Sequence, residues 1–167
     1  MNKDVIIEGD NIILRSMTED TSELYRQLRN REDNRYFFFT EEEIDEASQK
    51  KWFDKYLSDE NQMMFAVFDK FSGRFAGGIG IYDIVMGKSA EIGRIIIDRY
   101  SFGGKGFGYE AVFLLSEYVK KEKLAERVYA YIKTGNIASR KTFERCGFRL
   151  SEDTIKTQNL FYEKHFS

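Results

Sequence analysis

Apolar and polar positions recur with different periods along the chain, and each change of period marks an element. Residues 11–16, NIILRS, read as a first strand, after which Thr18 or Asp20 can cap a helix carrying Leu24, Tyr25 and Leu28 on one stripe. A second helix is signalled by the capping box Thr40-Glu41-Glu42-Glu43, followed by Ile44, Ala47, Trp52, Phe53, Tyr56 and Leu57 at helical spacing. The period then shortens. Residues 62–69 and 74–85 form a hairpin about Lys70-Phe71-Ser72-Gly73, and a turn at Met86-Gly87-Lys88 adds 90–98 as a third antiparallel strand. Gly77, Gly78 and Gly80 weaken the middle strand unless something packs close to its backbone or a bulge is needed.

The second half begins with a glycine-rich loop over 99–108 and a helix over about 107–122, with Ala111, Val112, Leu115, Tyr118 and Val119 on one face. A strand at 126–133 feeds a short helix from Asn136 to Cys146, which Gly147 ends as a left-handed cap. Phe148–Leu150 and residues 158–166 are the last strands. The order β-α-α-β-β-β-α-β-α-β-β is α/β, with one right-handed βαβ crossover between antiparallel hairpins.

Length and composition narrow the function. A chain of 167 residues without repeats or a linker reads as a single domain over 1–167. Lys and Arg number 26 against 28 Asp and Glu, a net charge of −2 that gives no footprint for nucleic acid. One cysteine, Cys146, and one histidine, His165, supply no zinc cage, so no metal is expected. No apolar run reaches membrane-spanning length and MNKDVIIEGD is unlike a secretory signal, which places the chain in the cytoplasm with no membrane partner.

The loop Gly103-Gly104-Lys105-Gly106-Phe107-Gly108 has the composition of a phosphate cradle. Glycines let a pyrophosphate approach the backbone, and the following helix presents unpaired amides and the positive end of its dipole. Lys105 adds a point charge. The spacing is not that of a P-loop, and a plain flexible loop is the bland alternative.

From Ala90 to Phe148 the chain resembles the GNAT superfamily of acyl-CoA-dependent N-acetyltransferases. The resemblance rests on the strand AEIGRIII, the loop GGKGFG at the Arg/Gln-x-x-Gly-x-Gly/Ala signature, and Asn136-Ile137-Ala138-Ser139 leading to Phe143-Glu144-Arg145-Cys146-Gly147-Phe148. Leu14-Arg15, Arg29-Asn30 and Lys51-Trp52-Phe53 extend it to members that act on protein N-termini, polyamines or amino sugars. It implies a mixed, mostly antiparallel sheet of six or seven strands flanked by helices. It also implies that pantetheine lies in a V between the strands at 91–98 and 127–133. Backbone atoms at Ile95 and Ile97 would bind that arm, amides of Gly104 to Gly108 the pyrophosphate, and Asn136, Ser139 and Phe143 the opposite wall.

Two positions depart from the family pattern. Gly103 stands where Arg or Gln is usual, and Phe143 where many members have a Tyr that protonates the leaving thiolate. Ser139 resembles the branch that acetylates ribosomal-protein N-termini; it acts through a water, or the thiolate takes its proton from the zwitterionic intermediate. Acetyl transfer needs a neutral amine, a stabilised oxyanion and a thioester held within range. The oxyanion donor is expected to be a backbone N–H near Ile95. Glu91 is the candidate base, because regular strand alternation puts it on one face with Gly93, Ile95 and Ile97, and desolvation can raise its pKa toward neutrality.

Plain readings stand beside these. Glu91 can be an ordinary paired carboxylate, Ser139 a surface hydroxyl and Asn136 an N-cap. Cys146 reads as a small buried hydrophobe and His165 as a strand residue without chemistry. Tyr36 to Phe39 and Trp52 line an acceptor pocket or serve the core, and Glu41 to Glu43 start a helix or attract a cationic acceptor. The leading function is acetyl-CoA-dependent transfer to a primary amine, either a protein or peptide N-terminus or a small amine such as an amino sugar, with polyamines ranked behind. Rival readings are a non-catalytic acyl-CoA sensor or scaffold, and a nucleotide binder with another phosphate ligand. Edge strands near the C-terminus leave room for a homodimer.

Overall fold

The computed structural model describes residues 1–151 and 159–167. Its elements are β1 (Ile6–Glu8), β2 (Ile12–Ser16), α1 (Glu19–Asn30), α2 (Glu32–Arg35), α3 (Glu46–Ser58), β3 (Met63–Asp69), β4 (Phe75–Val85) and β5 (Ser89–Ile97). There follow α4 (Arg99–Phe102), α5 (Phe107–Lys121), β6 (Arg127–Lys133), α6 (Ile137–Arg145), β7 (Arg149–Leu150) and β8 (Asn159–His165). All strands join one eight-stranded sheet in the order β1-β2-β3-β4-β5-β6-β8-β7, antiparallel except for the pair β5 and β6.

This is the expected mixed sheet, with eight strands where six or seven were foreseen and one more than the seven in the expected order. The addition, β1, spans three residues and pairs with β2 about a turn in which the Gly9 N–H bonds the Ile12 carbonyl at 2.9 Å. Residue 158, the expected start of the last strand, lies outside the described residues. Among the described residues no helix is long and apolar enough to cross a membrane.

Two apolar layers sandwich the sheet. On one face α5 and α6 bury Val112, Leu115 and Phe143 against Phe65, Ile79, Ile92 and Val128. On the other, α1 and α3 bury Tyr25, Leu28, Phe53 and Tyr56 against Met64 and Ile96. Leu24 and Leu57, assigned to the same stripes from their spacing, point outward at 42% and 53% exposure.

The caps correct one boundary. Thr18 starts α1 with a reciprocal capping box to Thr21, but Thr40 starts nothing. The Thr40 and Glu42 carbonyls accept from Arg29, and the Ile44 carbonyl accepts from Arg26 and Asn30, which holds 40–44 as a loop. The α3 helix begins at Glu46, capped by the Asp45 carboxylate, which accepts from the Ser48 N–H at 2.7 Å. The expected loop at 99–108 contains the turn α4, capped by Asp98, and α2 was not foreseen.

The glycines of β4 are explained by close approach. A Cβ on Gly78 would collide with the Tyr25 ring, and one on Gly77 with the Ile96 carbonyl. Both neighbours are fixed within the sheet and α1. Gly78→Val is therefore expected to destabilise the fold by about 1–3 kcal/mol through overpacking. Urea unfolding should show a lower midpoint at unchanged slope.

Candidate functional site

Parallel pairing between β5 and β6 lasts three residues, Ser89 opposite Arg127, Ala90 opposite Val128 and Glu91 opposite Tyr129. Both strands then continue, to Ile97 and to Lys133, without pairing with each other. A bulge in β5 accounts for the parting. Gly80 opposes Gly93 and Gly78 opposes Ile96, so Arg94 and Ile95 together face the single residue Ile79. Arg94 takes φ 52, and its carbonyl accepts from the Tyr25 hydroxyl at 2.7 Å. A bulge of this kind sharpens the twist of its strand, here directing β5 away from β6.

The bulge also overturns the expected alternation. Glu91 and Gly93 lie on the α1/α3 face with Tyr82, whereas Ile95 and Ile97 pack in the core on the α5 face with Ile92. Glu91 therefore does not share a face with Ile95 and Ile97. One extra residue at Arg94 shifts the period-two pattern by one, so carboxylate and isoleucines sit on opposite faces of the sheet.

A cleft of about 710 Å³ runs through that gap, lined from the α5/α6 side by Ile95, Asn136, Ser139 and Phe143 and from the α1/α3 side by Tyr25, Trp52, Tyr82 and Glu91. Glu91 is 7% exposed and accepts from the Tyr82 hydroxyl at 3.1 Å. Burial pushes its pKa up to about 7, the Tyr82 hydrogen bond and the Arg94 charge offsetting only part of the desolvation. Burial likewise raises the Tyr82 phenol. The Arg94 guanidinium lies over the Tyr82 ring at 4.0 Å and donates to Gln62 Oε1 at 2.8 Å.

On the α5 side the loop is built by two left-handed glycines, Gly104 at φ 77 and Gly106 at φ 75, both opening onto free space. Gly106 is the N-cap of α5 and supplies no side-chain acceptor, so the first-turn amides of Phe107, Gly108 and Tyr109 point outward without intrahelical partners. A Cβ on Gly108 would make only ordinary contacts with Ile95 and Ile97, so packing does not demand glycine there. Gly103 is different. As the C-cap of α4 it lies so close to the Arg99 carbonyl that any side chain would collide, which explains why no Arg or Gln stands there. The Phe107 ring is buried on Phe102 at 5.5 Å, leaving only its backbone to a ligand, and Lys105 is exposed beside Phe102.

Asn136 caps α6, its Oδ1 accepting from the Ser139 N–H at 3.2 Å. What it offers a ligand is therefore its Nδ2 donor pair. Phe143 is 1% exposed and packs edge-on to Phe148. Cys146 is buried, its thiol pushed up to about 11, which suits a packing role and not a nucleophile. His165 is exposed and lies 3.3 Å from Glu163.

Sequence reasoning assigned no site role to Tyr82, Tyr25, Arg29 or Arg94, all of which line the cleft. For Tyr82 the local signal misleads. The turn register, Val85 opposite Ser89, extrapolates to Glu91 opposite Asp83; Asp83 takes φ 49, the register slips, and Tyr82 becomes the partner.

A model of the acetyltransferase (GNAT) domain matches residues 11–149. Among solved structures, the chain is similar to RimL, a ribosomal-protein alpha-N-acetyltransferase in complex with coenzyme A, at 17% identity and TM-score 0.82 over 97% of this chain and 98% of that one. A domain from Methanocaldococcus jannaschii gives 25% and 0.81 over 94% and 100%. A spermidine N-acetyltransferase from Vibrio cholerae, in complex with CoA and spermine, gives 18% and 0.81 over 93% and 94%.

The raised pKa of Glu91 has a stability consequence. The folded value, about 7, exceeds the ordinary 4.5, so the stabilisation is full below about pH 4.5 and is lost as pH rises through 7. Without ligand, Glu91→Gln is expected to be more stable than the parent at pH 8, by at most about 3 kcal/mol. The difference should vanish below about pH 4.5, as thermal unfolding across pH will show.

Proposed function

The chain belongs to the GNAT acetyltransferases, and from that membership we propose that it moves an acetyl group from acetyl-CoA to a primary amine by direct attack in a ternary complex. The carrying observation is the gap between β5 and β6, with a loop of open glycines at the head of α5 on one face and, on the other, a buried carboxyl whose pKa burial pushes up to about 7. Relatives of this fold bear names that specify a ribosomal-protein α-amine and spermidine as acceptors.

The residues fit the cofactor. The amides of Gly104 to Gly108 would hold the pyrophosphate, the β5 edge around Ile95 and Ile97 that no longer pairs with β6 would bind the pantetheine arm as a strand would, and Asn136 Nδ2 and Ser139 would hold it from α6. Acetyl-CoA supplies the thioester carbonyl. Glu91 accepts the ammonium proton of the acceptor, directly or through a water, while Tyr82 holds the carboxylate in place. A β5 backbone N–H near Ile95 would be the donor to the oxyanion of the thioester carbonyl. Ser139, which lines the cleft with Phe143 in the place of the usual tyrosine, would return a proton to the leaving thiolate through a water, or the thiolate would take it from the zwitterionic intermediate.

Parallel thermal titrations with acetyl-CoA, CoA, ATP and NAD test the cofactor half. A ligand at about 100 times its Kd adds about 2.7 kcal/mol, and only the CoA species should give that shift. Gly106→Asp should abolish it, because a carboxylate then faces the pyrophosphate. Gly87→Asp is the control, since Gly87 has the same left-handed backbone at φ 72 and open surroundings, in the turn before β5 at the end of the strand remote from the cradle. Equal loss in both variants would sink the cradle assignment.

The catalytic half predicts an acid limb in kcat/KM with an apparent pKa near 7, rate falling as Glu91 protonates. Glu91→Gln should retain the CoA thermal shift, lower kcat by about 10²-fold or more, and lose that limb. Turnover that persists with an unaltered pH profile would remove Glu91 from the role. Binding of CoA with no thiol release on any amine would favour the sensor reading.

A further inference from the structure

The cleft half on the α1/α3 side combines two properties that together select an acceptor. Its walls are apolar and aromatic, built by Phe37, Phe38, Phe39 and Ile44 from the chain between α1 and α3 and by Trp52 from α3. Its charge is cationic. Arg29, Arg94 and Lys133 line it against the single carboxylate of Glu91. Lys133 is neutralised by Glu41 at 2.8 Å, but Arg29 and Arg94 form no ion pair among the described residues, donating instead to the Thr40 and Glu42 carbonyls and to Gln62.

Aromatic walls by themselves attract cations. Here two of the rings are already taken by the protein's own guanidinium groups, Arg29 over Phe38 at 4.7 Å and Arg94 over Tyr82 at 4.0 Å. The acidic run at 41–43 does not compensate. Glu41 and Glu43 are held by Lys133 and Arg35, and no residue of the run is among those lining the cleft. Resting on the acetyltransferase reading above, we infer that the acceptor is a monoamine carried on an apolar, aromatic-sized body with no second positive charge. Its amine meets Glu91, and its body replaces water between Trp52 and the Phe37–Phe39 run. A polyamine would set its further ammonium groups against two unneutralised guanidiniums, and a sugar would lose hydroxyl hydration against rings.

The test uses the purified full chain with acetyl-CoA, following thiol release with 2-phenylethylamine, spermidine and glucosamine as separate acceptors. 2-Phenylethylamine should give a kcat/KM at least about tenfold above either of the others, a difference in transition-state stabilisation of about 1.4 kcal/mol. Trp52→Ala should raise its KM at least about fivefold while leaving the CoA thermal shift intact. Spermidine or glucosamine matching or exceeding it overturns the inference. Calorimetry of the same amines into CoA-saturated protein gives a readout independent of turnover, in which only the aromatic amine should bind. If CoA binds and none of the amines binds or reacts, the acceptor inference fails and the cofactor assignment stands. If CoA does not bind, the acetyltransferase reading itself fails.

Discussion

The site depends on a backbone constraint, the parting of β5 from β6 after Glu91 and Tyr129. A parallel pair interior to a sheet is a place where strands are ordinarily hydrogen-bonded and buried on both faces. Ending the pairing there leaves polar groups on two facing strand edges, which must find partners. An extended ligand with amide groups of its own is one way to satisfy them. The Arg94 bulge keeps the gap open, and the Tyr25 hydroxyl on the Arg94 carbonyl at 2.7 Å ties that bulge to α1. Gly78 matters for the same reason, since it admits the Tyr25 ring to the sheet surface.

The bulge also divides the chemistry between the two faces. Before it, odd-numbered β5 residues look toward α1 and α3; after it, they look toward α5. Glu91 is thereby on the α1/α3 face, while Ile95 and Ile97 support the first turn of α5 and the loop before it. A regular strand would have put the proposed base among the residues proposed to carry the cofactor. On the proposed function, the extra residue separates proton acceptance from cofactor binding across a sheet one backbone thick, with the cleft as the connection.

Much of this was legible in the sequence, for local reasons. The meander, the α5 helix behind its glycines and the Asn136 cap follow from turn chemistry and periodicity, which nearby residues determine. The face of Glu91 was misread because alternation carries no trace of a non-glycine residue at positive φ, and Arg94 is an ordinary strand-forming position by composition. Tyr82 was missed for a related reason: its pairing with Glu91 depends on a register slip at Asp83. The false start at Thr40 reflects competition. Its carbonyl is claimed by Arg29, a long-range contact that a local capping pattern cannot anticipate. Gly103 runs the other way, a departure from the family pattern that the steric demand of α4 explains.

Whether Glu91 serves the fold or the reaction turns on its environment. A carboxylate kept for stability is normally held by a cation or several N–H donors, which depress its pKa. The ion pairs of Asp33 with Arg31 and of Glu23 with Arg26 are of that kind, and both acids are lowered. Glu91 is the opposite case. It is buried without an ion pair among the described residues, the nearby Arg94 is directed to Gln62, and its principal side-chain donor is a phenol. Such a group destabilises the folded state at neutral pH by the work of ionising it there. Packing alone would be better served by a neutral residue of the same volume, so the cost is intelligible where a base poised near neutrality is used. The same reasoning separates Glu91 from Cys146, whose burial leaves it neutral at ordinary pH and therefore without comparable cost.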